Sequence, residues 1–135
     1  MKYLLDTNTC IRHINGRSDA VTNRLLALEE NEAVLCSVVV AELIFGAKRS
    51  QNPEKTLLKQ RRFINLFRSL PFDDTCTEIY ADIRADLTAK GTPIGANDLM
   101  IAAIAKTHNL ILVTHNTREF GRVTGLQLED WEEEL

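Results

Sequence analysis

The chain has 135 residues, of which 44% are hydrophobic and 26% are charged, and its formal net charge is −3. This length and apolar content predict a single domain, residues 1–135, with a substantial buried core. No apolar run approaches the roughly 20 residues that cross a bilayer, and the N-terminus lacks a signal-peptide pattern, so we expect a soluble, cytoplasmic protein without membrane contact.

Short β-rich runs alternate along the chain with longer helical patterns. The β-rich runs are residues 3–5, 33–37, 70–72, 110–114 and, more weakly, 126–128. The helical patterns are apolar stripes within residues 21–28, 40–47, 57–67 and 79–87, and an almost wholly apolar run at 98–108. Because parallel strands need long crossovers, this alternation predicts an α/β domain of three layers, α/β/α, around a central, mainly parallel sheet.

Two of these helices carry terminal signals. Thr75 and Glu78 have the spacing of a capping box before the fourth stripe, and Gly91 is expected to end that helix. In the third stripe, the apolar positions predict that the stem of Arg61 lies at the margin of the buried face.

Cysteine and histidine give no sign of a metal site. The three cysteines, at positions 10, 36 and 76, include no CxxC pair, and each lies in or beside an apolar stretch. We expect them to be small buried hydrophobes in a reducing compartment. The three histidines, at positions 13, 108 and 115, share no helical face, and surface or capping roles are expected.

The predicted topology places three acids at one edge of the sheet. Ligands of open α/β sheets bind outside the carboxyl ends of the strands. Asp6 directly follows the first strand, and Glu42 lies in the second turn of a helix for which Ser37 is the expected N-cap. Asp98 begins the helix that leads into the 110–114 strand, and that strand returns the chain to the same edge at Asn116.

Each acid also has a structural alternative. Asp6 can form an Asx-turn with Asn8, and Asp98 can satisfy a helix N-terminus. Glu42 is harder to explain in this way because its neighbours are apolar. Two carboxylates about 4 Å apart repel by about 4 kcal/mol at an effective dielectric near 20, so a cluster requires a cation or a proton. Oxygen ligands without His or Cys favour Mg²⁺ or Mn²⁺, and such sites characteristically act on phosphodiesters.

Positive charge is concentrated in one segment. Residues 48–68 carry a net charge of +6, and the remainder of the chain carries −9. One interpretation is a phosphate-binding patch for RNA, formed by Lys48, Arg49, Arg61 and Arg62; the other is a solvated helix face.

Four segments are similar to one known family in sequence, order and spacing. They are "LLDTN" at 4–8, "SVVVAELIFGA" at 37–47, "GTPIGANDLMIAAIA" at 91–105 and "LVTHNTREFGRVTGLQLEDW" at 112–131. Together they resemble the PIN-domain ribonucleases, and among these the VapC-type toxins of bacterial toxin–antitoxin modules. The resemblance covers essentially the whole chain.

The resemblance implies an endoribonuclease that depends on Mg²⁺ or Mn²⁺, with tRNA cut in a single-stranded loop as the first candidate substrate. It also implies a homodimer that is held inactive by a cognate VapB-type antitoxin in a higher assembly. Asp6, Glu42 and Asp98 match the three acids of the family, with Asp6 and Asp98 as metal ligands.

The chain departs from the family at one position. Many PIN domains place a fourth acid after the last core strand, where this chain has Asn116. Asn116 can accept through its carbonyl or hold a metal-bound water but adds no charge, and Glu119 is the alternative carboxylate. We therefore favour one tightly held ion. Further orienting ligands are expected at Thr7, Asn8, Ser37 and Thr114.

The partner surface is inferred in the same way. Ile44 and Phe45, followed by Lys48 and Arg49, resemble the groove in which such toxins accept an antitoxin segment. The alternative is that Phe45 belongs to the core.

Two other functions compete with the nuclease. One is a non-catalytic RNA- or protein-binding module whose acids are structural. The other is a phosphatase-like Mg²⁺ enzyme, against which Asn8 counts because that chemistry typically uses a second Asp two residues after the first.

Overall fold

The computed structural model describes residues 1–132 and contains five strands. They are β1 (Tyr3–Leu5), β2 (Ala33–Cys36), β3 (Ser69–Leu70), β4 (Ile111–Val113) and β5 (Leu128–Glu129). Their order across the sheet is β3-β2-β1-β4-β5, and every neighbouring pair is parallel. The predicted α/β fold with a parallel sheet is confirmed, and each strand lies within two residues of its predicted position.

In the described part of the chain, seven α-helices connect the strands. They are α1 (Thr7–Ile14), α2 (Asp19–Leu26), α3 (Ser37–Lys48), α4 (Pro53–Ile64), α5 (Thr77–Ala89), α6 (Ala96–Thr107) and α7 (Thr117–Phe120), with a 3₁₀ turn at Asp74–Cys76. None of the helices in residues 1–132 has the length and apolar character of a membrane span.

The core lies on both sides of the central strands. Strands β1 and β2 are buried along their whole length, as a sheet covered on both faces requires. Helix α6 buries Leu99 and all five residues from position 101 to 105, which agrees with its nearly continuous apolar sequence. The three cysteines are buried and free, as predicted.

Helix α1 was not predicted from the sequence. Its buried residues are Thr9 and Cys10, which are adjacent in the sequence and do not form the apolar stripe that predicts a helix. The helix forms because Asp6 caps it and because it packs against α2 and α3.

The predicted buried face of α4 is confirmed in part, because Ile64 and, just after the helix, Phe67 are half-buried against the core. Gln60 and Phe63, which the predicted stripe did not include, are buried, whereas Arg61 is exposed and not at the margin of the buried face. Phe63 contacts the ring of His13 on α1, with 5.6 Å between ring centroids. Gln60 could not be predicted as buried, because a search for periodic apolar residues leaves out polar ones.

Two predicted caps were also wrong. Cys36, not Ser37, occupies the N-cap position of α3, and it makes no side-chain capping bond. Before α5, the side chain of Asp73 accepts from the backbone N–H of Thr75, so Thr75 does not form the predicted capping box. Gly91 follows α5 with a φ of +70°, which confirms that it ends this helix.

Candidate active site

Asp6 lies at the carboxyl end of β1 and is only 6% exposed. Its backbone N–H donates to the carbonyl of Val113 at 3.1 Å, which ties the end of β1 to the end of β4. Its Oδ1 accepts from the backbone N–H of Thr9 at 2.8 Å, so the carboxylate caps α1. The structural alternative therefore takes the form of a helix cap, not an Asx-turn with Asn8, and the cap holds the carboxylate at the predicted edge.

Burial raises the pKa of Asp6 above its ordinary value. Hydrogen bonds from Thr114 and Thr9 act in the opposite direction, and the negative charge of Glu132 adds to the increase. The ionised carboxylate is therefore costly at this position, and a nearby cation would offset that cost.

Glu42 joins three helices through hydrogen bonds. The hydroxyl of Thr7 on α1 donates to Oε1 of Glu42 at 2.6 Å, and the amide of Asn97 on α6 donates to Oε2 at 3.4 Å. Thr7 therefore lies where an orienting residue was expected. Asn97 was missed from the sequence, where its only signal is that it directly precedes Asp98.

Asp98 lies in the first turn of α6, as predicted, and is partly buried. The pKa of its carboxyl is raised to about 6, first by burial and then, in decreasing order, by the negative charges of Glu119, Glu42 and Asp6. The structure thus brings four carboxylates, including the three predicted acids, into one electrostatic neighbourhood.

Asn116 and Glu119 are joined to each other beside these acids. The amide of Asn116 donates to Oε2 of Glu119 at 2.7 Å. The backbone N–H of Asn116 donates to the hydroxyl of Thr114 at 3.0 Å, and Thr114 is fully buried. Both candidates for the fourth position of the family therefore lie at the same edge, and the amide of Asn116 orients the carboxylate of Glu119.

Ser37 does not share a hydrogen bond with the acids. Its hydroxyl accepts from the backbone N–H of Phe72 at 3.3 Å. That bond joins the start of α3 to the segment after β3. The expectation that Ser37 orients the acids is therefore not supported by its contact. Asn8 is exposed at the start of α1.

The residues predicted to bind RNA or the antitoxin lie on α3, directly after it, or on α4. Lys48, Arg49, Arg61 and Arg62 are all exposed. Phe45 is 63% exposed, and the guanidinium of Arg49 lies 5.5 Å from the centre of its ring. The alternative that Phe45 belongs to the core was therefore wrong. Ile44 beside it is partly buried.

The acids fit a hard divalent cation in their chemistry. Each offers carboxylate oxygens, and the pKa of Asp98 is raised by burial and by the surrounding negative charge, both of which a bound cation would offset. Within residues 1–132, no three of these acids bring their ligand atoms within 4.8 Å of one another. Mg²⁺ commonly retains several waters and uses only one or two carboxylates, which suits ligation by Asp6 and Asp98.

A second cluster was not predicted from the sequence. Within residues 1–132, His115, Asp130 and Glu132 have ligand atoms within 4.8 Å of one another. Nδ1 of His115 lies 2.9 Å from Asp130 and 3.6 Å from Glu132, and Glu132 also pairs with Arg12 at 3.3 Å. The acids come from the segment after β5, so no local spacing could reveal the contact. The exposed position expected for His115 is found.

Comparisons with known proteins support one family. The PIN domain profile matches residues 3–126. The chain is 41% identical to the tRNA(fMet)-specific endonuclease VapC of Shigella flexneri, over 97% of this chain and 98% of that protein. It is 39% identical to the ribonuclease VapC2 of Rickettsia felis, over 98% and 99% of the two chains.

Solved structures show the same relationship. The structure of VapBC2 from Rickettsia felis bound to a DNA fragment from their promoter contains a chain with a TM-score of 0.91 and 39% identity, covering 97% of this chain and 99% of that one. The DNA-bound VapBC of Salmonella typhimurium gives the same TM-score and identity. The chain therefore belongs to the PIN-domain family and, within it, to the VapC group.

Proposed function

We propose that the chain is a toxin endoribonuclease that hydrolyses RNA phosphodiester bonds with Mg²⁺ or Mn²⁺, cuts tRNA in a single-stranded loop and is inhibited by a cognate VapB-type antitoxin. The observation that carries the proposal is the shared neighbourhood of Asp6, Glu42, Asp98 and Glu119, in which the pKa of Asp98 is raised to about 6. The nuclease names of the relatives and the tRNA specificity named for one of them support it.

The residues divide the work at this edge. Asp6 and Asp98 would hold the divalent ion, which when bound activates water and stabilises the leaving oxygen. The carboxylate of Glu42 is fixed by Thr7 and Asn97, so it can accept a hydrogen bond from an attacking water in a defined orientation. Asn116 holds Glu119 and adds no charge, which favours one tightly held ion.

The decisive experiment combines the purified protein with total RNA. Discrete products with Mg²⁺, and none with EDTA, support the nuclease. RNA that is bound but remains intact at high protein excess supports the binding module instead. Sequencing of RNA 5′ ends after a brief pulse of expression then identifies the RNA and the bond.

The partner proposal rests on the exposed Phe45 and on the VapBC relatives. A VapB-type segment that covers Ile44 and Phe45 would also meet the positive charge of Lys48 and Arg49, which follow at the end of α3. The naming of the neighbours as VapBC supports the antitoxin partner. We also propose that the chain forms a homodimer and that the homodimer joins the antitoxin in a higher assembly.

The metal requirement should depend on pH. The raised pKa of Asp98 means that its carboxyl is protonated below about pH 6 in the metal-free site, and a ligand must lose its proton to bind. The Mg²⁺ concentration for half-maximal cleavage should therefore rise about tenfold per pH unit below 6 and level off above 7. Titration of Mg²⁺ at several pH values measures this, and a flat profile would contradict the role of Asp98.

The basic residues of α4 should appear in the salt dependence of RNA binding. For single strands, log affinity falls with log salt at a slope of about −0.7 per phosphate contact. We expect Arg61→Gln or Arg62→Gln to flatten the slope by about 0.7, with Mg²⁺ affinity unchanged. Lys90→Gln is the control, because Lys90 lies at the end of α5 and pairs with Asp86. Unchanged slopes for both arginine variants would support a solvated face.

A further inference from the structure

A polar cleft adjoins the proposed active site. Its volume is about 540 Å³, which falls in the range of sites for small ligands. Asn8 and Asn116 line it on the side of the acids, since Asn8 is two residues from Asp6 and Asn116 contacts Glu119. Its lining residues are Asn8, Ile11, Arg12, Asn15, Arg17, His115, Asn116 and Glu132.

The charge of the cleft suits a phosphate group. Among the residues of 1–132 that line the cleft, Arg12 and Arg17 contribute two positive charges, against one negative charge from Glu132. Arg12 forms an ion pair with Glu132, with 3.3 Å between Nε and Oε1, so part of its charge is already balanced. Arg17 is exposed and, among residues 1–132, forms no ion pair or side-chain hydrogen bond. An exposed, planar guanidinium can bind two phosphate oxygens at once.

The remaining lining residues suit a base. The side chains of Asn8, Asn15 and Asn116 each offer a donor and an acceptor, the combination needed to read the edge of an unpaired base. Asn8 and Asn15 lie at the two ends of α1, on either side of the partly buried Ile11, which offers an apolar surface to a ring.

The cleft is also continuous with the basic helix α4. Nζ of Lys59 on α4 donates to Oδ1 of Asn15 at 3.5 Å. A strand that leaves the cleft at Asn15 therefore meets positive charge at Lys59. The cavity between α5 and α6, for example, does not offer this combination, because its lining residues among positions 1–132 include a single cation, Arg84, and no asparagine.

We propose that this cleft binds the RNA nucleotide next to the scissile bond, with Arg17 and Arg12 on its phosphate and Asn8 and Asn15 on its base. The inference rests on the proposed nuclease function and assigns its substrate contacts. It makes α1 the element that sets RNA specificity, because this helix starts at a proposed metal ligand and carries the cleft residues from Asn8 to Asn15.

The test measures RNA binding without cleavage, in an Asp98→Asn background with Mg²⁺ present. Arg17→Gln should weaken binding of a short single-stranded RNA about tenfold at low salt and flatten the salt slope by about 0.7. Arg17→Lys should recover part of the affinity. The matched control is Arg84→Gln on α5, outside the cleft, which should leave affinity unchanged. Equal affinities for Arg17→Gln and the control would overturn the proposal.

The base contact needs a separate measurement. The Asp98→Asn protein is tested against a set of oligonucleotides that differ at one base next to the cleavage site. Its affinities for this set should span a wider range than those of the same protein with Asn15→Ala added. An unchanged ranking and range in Asn15→Ala would refute base reading. If Arg17→Gln weakens only antitoxin binding, the cleft is a protein site and the proposal fails, even where wild-type cleavage upholds the nuclease. If the unmodified chain neither binds nor cuts RNA, both proposals fail.

Discussion

Asp98→Asn is expected to abolish detectable RNA cleavage and, at the same time, to stabilise the metal-free protein. The activity is lost because an amide brings no charge to the proposed ion, and a loss of at least about 10³-fold is expected for a metal ligand. The stability gain follows from the raised pKa. A shift from 3.8 to about 6 corresponds to about 3 kcal/mol, and solvent screening at this partly exposed carboxyl reduces the expected gain to about 1–2 kcal/mol.

The sign of the pH dependence distinguishes this explanation from a general packing effect. The folded state holds the proton of Asp98 more tightly than the unfolded state, so wild-type stability falls as pH rises from about 4 to 6. Denaturant unfolding in EDTA should show the stability advantage of Asp98→Asn above pH 6 and its disappearance below about pH 4. Near-normal turnover by the folded variant would show that the assignment of the metal ligand is wrong.

Asp6→Asn serves as a second variant in the same assay. Asn is also a good helix cap, so α1 should keep its cap while the charge is lost. The same loss of cleavage is expected. Asp6→Ala is a poorer probe because it removes the capping bond to Thr9 as well as the charge.

Phe45→Ser is expected to weaken antitoxin binding by about 30- to 100-fold. Large aromatic side chains are typical hot spots at the centre of an interface, and this one is 63% exposed in the isolated chain. Most of this side chain is exposed and it contacts the guanidinium of Arg49, so its removal should change the free energy of unfolding by less than about 1 kcal/mol. Titration of the purified toxin variant with its antitoxin measures the effect.

Leu26→Ser on α2 is the matched control, because Leu26 is 74% exposed and equally apolar. It should change neither antitoxin affinity nor stability appreciably. Phe45→Ser with a lower unfolding temperature but normal antitoxin affinity would remove the proposed docking surface.

The sequence was sufficient for the fold class and the edge that gathers the acids, because both follow from long-range rules. Alternation of strand and helix fixes a parallel sheet, and the carboxyl ends of its strands must then share an edge. Asp6, Glu42 and Asp98 could be placed in this way without any knowledge of their contacts.

The contacts that were missed depend on tertiary packing. Helix α1 lacks an apolar stripe, the buried Gln60 hides the inner face of α4, and Asn97 acquires its role only because α6 lies beside α3. His115, Asp130 and Glu132 meet only after β4 and β5 have paired. These features are invisible to periodicity, which reports only the apolar side of a helix or strand.

The hydrogen bond from Asp6 to Val113 has a consequence for synthesis of the protein in the cell. The two residues pair across neighbouring strands although 107 positions separate them, and Asn116 and Glu119 follow the second strand. A nascent chain therefore carries its first acids long before it can assemble the edge that uses them. The proposed activity would arise only when nearly all of the chain has left the ribosome, so translation itself would give the host an interval in which an antitoxin can meet a toxin that is still harmless.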